Sequence, residues 1–147
     1  MYVGFTTSSC SAKNQLTYPS KFKKQTGDKL LITTWFEKSL LILPLERGNE
    51  IIGNILKETS SLLPEVRDLE RFLYGNAVEI TLDNKNRFVI PVYLRDYAHI
   101  KKNAVFLGIS ERIELWDEET YRNYGKIREM QIRETAISHY NRILKKT

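Results

Sequence analysis

One short segment of this chain occurs twice, and its surroundings recur with it. Ser11-Ala12-Lys13-Asn14-Gln15-Leu16-Thr17-Tyr18-Pro19 aligns with Asp83-Asn84-Lys85-Asn86-Arg87-Phe88-Val89-Ile90-Pro91, 72 positions later, with Lys, Asn and Pro identical. A short helix is expected after each copy, with Phe22 matching Leu94 and Lys23 matching Arg95. A hairpin then follows in each, and Leu40 and Ile42 match Ile113 and Leu115 at a spacing of 73. A local pattern that returns with its supersecondary context implies a duplicated unit.

The recurring turn has a readable chemistry. Asn14 and Asn86 sit where the chain must reverse, and asparagine tolerates positive φ better than any residue except glycine. Asp83 is placed to accept hydrogen bonds from backbone N–H groups of its turn. Pro91 closes a strand and opens a helix. A turn that holds Lys85 and Arg87 apart from acids presents two donors to a phosphate or a base edge. An ordinary charged hairpin turn has the same composition, and symmetry of the fold alone would also repeat it.

The remaining elements follow from periodicity and punctuation. Residues 29–35 and 39–43 are rich in β-formers and bracket a turn at Phe36-Glu37-Lys38. Ile51, Ile52, Ile55 and Leu56 form one apolar helical stripe, weakened by Gly53. Residues 59–63 make a linker. Pro64 opens a second helix, with Leu69, Phe72 and Leu73 on its apolar face and Gly75 as its stop. Residues 77–82 alternate as a strand, residues 87–90 continue after the turn, and residues 104–108 and 112–116 form a second hairpin. Asp117 is a candidate N-cap for a helix reaching the end of the chain. Its Met130, Ile137 and Leu144 lie seven apart, too short and polar a seam for a coiled coil. That helix is expected to pack back on the domain as a surface helix; docking on a neighbouring subunit is the alternative. The chain divides into a first half (1–45), a helical connection (46–75), a second half (76–117) and a C-terminal helical segment (118–147).

Composition removes several function classes. The apolar fraction of 41% supports a core without staples, and the single Cys10 excludes an intrachain disulfide. His99 and His139 stand alone, and no zinc-ligand spacing occurs. The first nine residues lack the basic and apolar regions of a signal peptide, no stretch approaches a membrane span, and there is no Asn-x-Ser/Thr sequon. Together these point to a reducing, cytoplasmic setting. The net charge of +5 is uneven: residues 1–45 carry +4, 46–75 carry −2, 76–117 are neutral and 118–147 carry +3. Such a basic excess suits an acidic partner when it gathers on one face.

The doubled turn, with its Asp-x-Lys-x-Arg-x-x-x-Pro form in the second copy, resembles the MraZ family of the SpoVT/AbrB-like superfamily. The second half is similar through Phe72-Leu73-Tyr74-Gly75-Asn76-Ala77, the 83–91 segment and Arg112-Ile113-Glu114-Leu115-Trp116-Asp117. The first half is similar through Leu16-Thr17-Tyr18-Pro19-Ser20-Lys21-Phe22 and Leu41-Ile42-Leu43-Pro44-Leu45. The resemblance covers roughly residues 1–124 and leaves out the final helix. It implies an α+β fold in which two AbrB-like halves interlock their hairpins into a swapped-hairpin barrel with peripheral helices. It also implies a ring of identical chains, no cofactor and no catalytic residue. The implied activity is sequence-specific binding of double-stranded DNA at short tandem promoter repeats, usually as a repressor of the bacterial division and cell-wall gene cluster, by a nucleoid-associated protein. The family's DNA-contacting loops map onto Asp83, Lys85, Asn86 and Arg87 in the second copy, and onto Lys13, Asn14 and Gln15 in the first. There Ser11 and Gln15 replace the acid and the arginine. Gln15 retains an amide able to read adenine. Lys21, Lys23 and Lys24 are placed to restore basic charge if they share the first loop's face. The glycine of the family's loops is Asn in both copies.

An enzyme is not indicated. Ser20-Lys21-Phe22-Lys23 matches the Ser-x-x-Lys of penicillin-recognising enzymes, but the Lys-Thr-Gly and partner motifs of that larger fold are missing. Asp83, Glu79, Glu111 and Glu114 are expected to be solvated strand or turn residues. No small-molecule substrate is implied. The alternative is an oligomeric protein-interaction module that has lost much of its DNA binding, with the C-terminal helix as its docking element.

Overall fold

A computed structural model of the chain describes residues 1–57 and 62–145. Its elements are β1 (Tyr2–Ser9), β2 (Gln15–Thr17), α1 (Ser20–Thr26), β3 (Lys29–Thr34), β4 (Leu40–Pro44), α2 (Leu45–Ile55), α3 (Pro64–Leu73), β5 (Val78–Thr81), β6 (Arg87–Val89), α4 (Val92–Ala98), β7 (Asn103–Ser110), β8 (Arg112–Asp117) and α5 (Glu118–Lys145). Thr59, Ser60 and Ser61 of the expected linker, and the last two residues of the chain, lie outside the described residues.

The fold is α+β with antiparallel pairing. Six strands form one sheet in the order β1-β7-β8-β4-β3-β5, while β2 and β6 pair separately as a ribbon. The two hairpins meet where β4 pairs β8, through Leu40 opposite Leu115 and Ile42 opposite Ile113. These are the residues that match across the repeat. Each hairpin is then extended by a strand from the other half of the chain: β1 pairs β7, and β5 pairs β3. The sheet runs from β1 to β5 and does not close on itself.

β4 is buried along its whole length because both faces of the sheet are covered. Leu40 and Ile42 face a larger core with Leu16 and Phe88 of the β2–β6 ribbon, Tyr18, Phe22 of α1 and Leu94 of α4. Leu41 and Leu43 face a smaller core with Trp35, Ile51, Ile52 and Leu73, under α2 and α3. A strand covered on both sides reads as a continuous apolar run, which explains the lack of alternation in Leu40-Leu41-Ile42-Leu43. Helix α3 is fastened by β3: the hydroxyls of Thr33 and Thr34 donate to the carbonyls of Leu73 and Phe72, each at 2.6 Å, satisfying acceptors the helix end leaves open.

Three expectations meet the structure here, one borne out and two corrected. Gly75 stops α3 as expected, though without a positive φ. Its need is for space, since a Cβ there would stand 2.4 Å from the carbonyl oxygen of Arg71. Glu114 is not solvated: it is 6% exposed, and its carboxylate accepts from Trp35 Nε1 at 2.9 Å and Trp116 Nε1 at 3.0 Å. Arg112 Nε completes this buried acceptor site at 3.0 Å.

Helix α5 is the third. Asp117 caps it as expected, accepting from the backbone N–H and hydroxyl of Thr120 at 3.0 Å each. Tyr121 and Tyr124 then pack on Trp116, with ring centroids 5.5 and 5.4 Å away. From Gly125 onward every described residue is exposed, so the helix leaves the domain rather than packing back on it. At roughly 100° per residue, Met130, Ile137 and Leu144 lie across the helix from the side that carries the two tyrosines, while Ile132 and Ile143 lie toward that side, so the exposed apolar residues ring α5 and give it no single face to lay on the domain.

Candidate nucleic-acid interface

The two copies of the repeated turn fold alike. In residues 11–15, Ser11 N–H donates to the Gln15 carbonyl at 3.0 Å and Asn14 N–H to the Ser11 carbonyl at 3.0 Å. In residues 83–87, Asp83 N–H donates to the Arg87 carbonyl and Asn86 N–H to the Asp83 carbonyl, again at 3.0 Å each. Asn14 and Asn86 both have φ of 62°, the left-handed conformation their side chains tolerate. Asp83 Oδ1 accepts from Lys85 N–H and Arg87 N–H at 2.8 Å. Ser11 Oγ takes the same two donors in the first copy, from Lys13 N–H at 3.2 Å and Gln15 N–H at 3.1 Å. Ser11 therefore preserves the turn that the acid builds in the second copy.

The turns are locked to each other by reciprocal contacts in which equivalent residues of the two copies play matching parts. Tyr18 N–H donates to the Asn86 carbonyl at 2.7 Å, and Ile90 N–H to the Asn14 carbonyl at 2.8 Å. Lys23 Nζ donates to Asn86 Oδ1, and Arg95 Nη1 to Asn14 Oδ1. Each copy's helix thus supports the other copy's turn. Between them runs the β2–β6 ribbon, with Gln15 opposite Val89, Leu16 opposite Phe88 and Thr17 opposite Arg87. Leu16 and Phe88 are buried, while Gln15, Thr17, Arg87 and Val89 form the outer face. The alternation of a strand assigns these roles.

The electrostatics of the two turns differ. Arg87 Nε donates to Asp83 Oδ2 at 3.0 Å, and both side chains are 38% exposed. The expectation that Arg87 stands apart from acids is thus corrected: its own turn's acid holds it. Its Nη groups keep no hydrogen-bond partner among the described residues. The backbone N–H of Arg87 is the main cause that holds the Asp83 carboxyl below its ordinary range, with Lys85 N–H and the guanidinium adding to it. Lys13 and Lys85 are exposed at the turn tips. Of the α1 lysines, Lys23 serves the second turn rather than the first, Lys21 Nζ lies 3.4 Å from the Phe5 carbonyl of β1, and Lys24 is exposed. Burial pushes the Cys10 thiol up, against an opposing effect of Arg95. Among the described residues, no group of three His, Cys, Asp or Glu side chains could hold a metal. No described helix is long and apolar enough to cross a membrane.

Two residues here escaped the sequence reading. Ser11 was counted only as the loss of an acid, although serine makes the same backbone-accepting turn as aspartate. Arg95 was aligned with Lys23 but given no role. The reciprocity was present in that alignment, yet contact between one copy's helix and the other's turn is non-local and leaves no trace in spacing.

Fold and surface together define a duplicated α+β protein carrying an outward ribbon framed by two polar turns. Comparison with known proteins gives the family. The family model described as "MraZ protein, putative antitoxin-like" matches residues 73–140, which carries the likeness into α5 beyond residue 124. A transcriptional regulator MraZ of Leuconostoc mesenteroides is 33% identical over 128 residues, 84% of this chain and 86% of the relative. The transcriptional regulator MraZ of Clostridium tetani is 32% identical over 125 residues, covering 85% and 87%. That of Thermoanaerobacter sp. is 30% identical over 136 residues, covering 92% and 94%. The chain belongs to the MraZ family.

Proposed function

We propose that this chain is a sequence-specific DNA-binding transcriptional regulator of the bacterial division and cell-wall gene cluster, acting chiefly as a repressor on short tandem promoter repeats. The observation that carries this reading is the outer face of the β2–β6 ribbon and its two flanking turns. A two-stranded ribbon fits the width of a major groove. Arg87, oriented by Asp83 with its Nη groups uncommitted, suits the bidentate reading of guanine. Gln15 suits adenine, and the exposed Val89 suits a thymine methyl group. Lys13, Lys85 and Lys24 offer charge to the phosphate backbone, while Asn14, Asn86 and Lys23 hold the turns in shape. Lys21, tied to β1, contributes to the same basic surface.

The exchange of edge strands between the halves 1–45 and 76–117 supports the family's swapped-hairpin architecture as the organising plan. The chain is further proposed to assemble as a ring of identical copies in a cytoplasmic, nucleoid-associated setting. The exposed apolar residues on the distal half of α5 are the candidate contact. The basic end of the helix complements the acidic connection at 46–75 of a neighbouring copy. In a ring, several weak contacts act together on tandem repeats.

The test is binding to a duplex from upstream of the protein's own gene, against a scrambled duplex, across a salt series. Preference that weakens with salt and falls in Arg87→Ala is the expected result. No preference at low salt from an intact oligomer would overturn it. That outcome would favour the second reading, a protein-interaction module, which the exposed apolar residues of α5 support.

A further inference from the structure

We propose that Lys101 and Lys102 form a phosphate-binding flank that adds positive charge beside the first turn, an assignment that rests on the DNA-binding reading above. The residue before each turn anchors it to a neighbouring connection, and the two anchors differ in charge. Cys10 N–H donates to the Lys102 carbonyl at 2.6 Å. Its counterpart 72 residues on, Leu82 N–H, donates to the Asp28 carbonyl at 2.8 Å. The first turn is therefore bordered by Lys101 and Lys102, the second by Gly27 and Asp28. Residues 11–15 and 83–87 each carry a net +1, so with these borders the first site reaches +3 and the second falls to 0. The arginine missing at position 15 is offset beside the turn rather than within it.

Arg95 makes this arrangement rigid. Its Nη1 donates to Asn14 Oδ1 in the turn, its Nε to the Ile100 carbonyl at 2.9 Å and its Nη2 to the Lys101 carbonyl at 3.2 Å. One planar fork spans the turn and the connection, which the single ammonium of Lys23 does not do on the other side. The backbone N–H of Lys101 is held by Asp117 Oδ1 at 3.2 Å. Both lysine side chains are exposed and form no ion pair among the described residues. Of the neighbouring acids, Asp117 caps α5 and Glu118 binds Arg122 at 2.8 Å, while Glu119 and Asp96 lie nearby without an ion pair to either lysine among the described residues. Exposed ammonium groups on a fixed backbone bind phosphate as point charges and carry no sequence information. The two turns then divide the work. The first adds a grip on the backbone beside Gln15, and the second reads bases through Arg87.

Fluorescence anisotropy with the upstream duplex and its scrambled version, on the full chain across a salt series, tests this. Lys101→Gln/Lys102→Gln is expected to weaken both duplexes alike and to lower the slope of log K against log salt by up to about two per engaged chain, with preference unchanged. Lys101→Arg/Lys102→Arg should retain the slope. Arg87→Ala should instead reduce the preference. Salt-dependent binding by the natural chain with an unchanged slope in a folded Gln variant would overturn this assignment alone. Failure of the natural chain to bind either duplex would overturn the DNA-binding reading and this one with it.

Discussion

Replacing Glu114 with alanine removes one carboxylate that three donors share. Trp35 and Trp116 are 8% and 4% exposed, so their indole N–H groups have little access to replacement water. A hydrogen bond to a charged acceptor contributes about 1.5–3 kcal/mol, and a buried donor left unpaired costs a similar amount. Arg112 is 37% exposed in its side chain, and its ion pair adds at most about 1 kcal/mol. Water entering the vacated space recovers part of the loss, which leaves an expected destabilisation of about 3–5 kcal/mol for Glu114→Ala. Glu114→Gln keeps one acceptor but sets an NH2 donor against the second indole, for about 1.5–3 kcal/mol. Arg112→Ala should cost about 1 kcal/mol or less. Urea unfolding followed by tryptophan fluorescence reads these differences, with the midpoint falling by about 2 M for the alanine variant and the m-value constant. Glu114 lies on β8 opposite Leu41 of β4, where the two hairpins join, so the loss should appear in global unfolding. A drop below about 1 kcal/mol, or equal effects from Glu114→Ala and Arg112→Ala, would refute the reasoning.

Further outcomes follow from the turns and the tail. Asn86→Ala should lose about 1–3 kcal/mol, from the left-handed backbone and the lost Lys23 contact, while Asn86→Gly stays within about 1 kcal/mol of the natural chain; calorimetry separates the two. The Asp83 carboxyl is depressed in the folded state, so its contribution is present above the unfolded value of about 3.9 and disappears as pH falls through the lowered one. An NMR titration of the Lys85 and Arg87 amides should therefore show its midpoint below about 3.9, and a midpoint above that value would contradict the turn's geometry. Ending the chain after Gly125 should change the stability of the domain by less than about 1 kcal/mol, since α5 buries no residue, yet abolish self-association in analytical ultracentrifugation. A truncated chain that still assembles would remove α5 from the interface.

Much of the local structure was legible because it is written in local chemistry. The β3–β4 and β7–β8 hairpins stand on β-forming runs broken by turns, α3 on Pro64, and the cap of α5 on Asp117. The asparagines of both turns announced positive φ, and the spacing of 72 announced the duplication. The candidate site was half legible: its turns were found, but not the support from Arg95 or the part Ser11 plays. Strand β1 passed unrecognised, since Tyr2-Val3-Gly4-Phe5-Thr6-Thr7-Ser8-Ser9 has no apolar alternation and becomes a strand only by pairing with β7.

What the sequence alone determined was most of the elements, their doubling and the reversals at the two asparagines. Tertiary structure decided their partners: β1 beside β7, β5 beside β3, Lys23 and Arg95 reaching across to the opposite turn, Glu114 closed in by two tryptophans, and α5 leaving the domain. Propensity, capping and turn chemistry act over a few residues and can be read along the chain. Strand exchange and burial depend on contacts between segments far apart in sequence, whose energies exist only once both segments are in place.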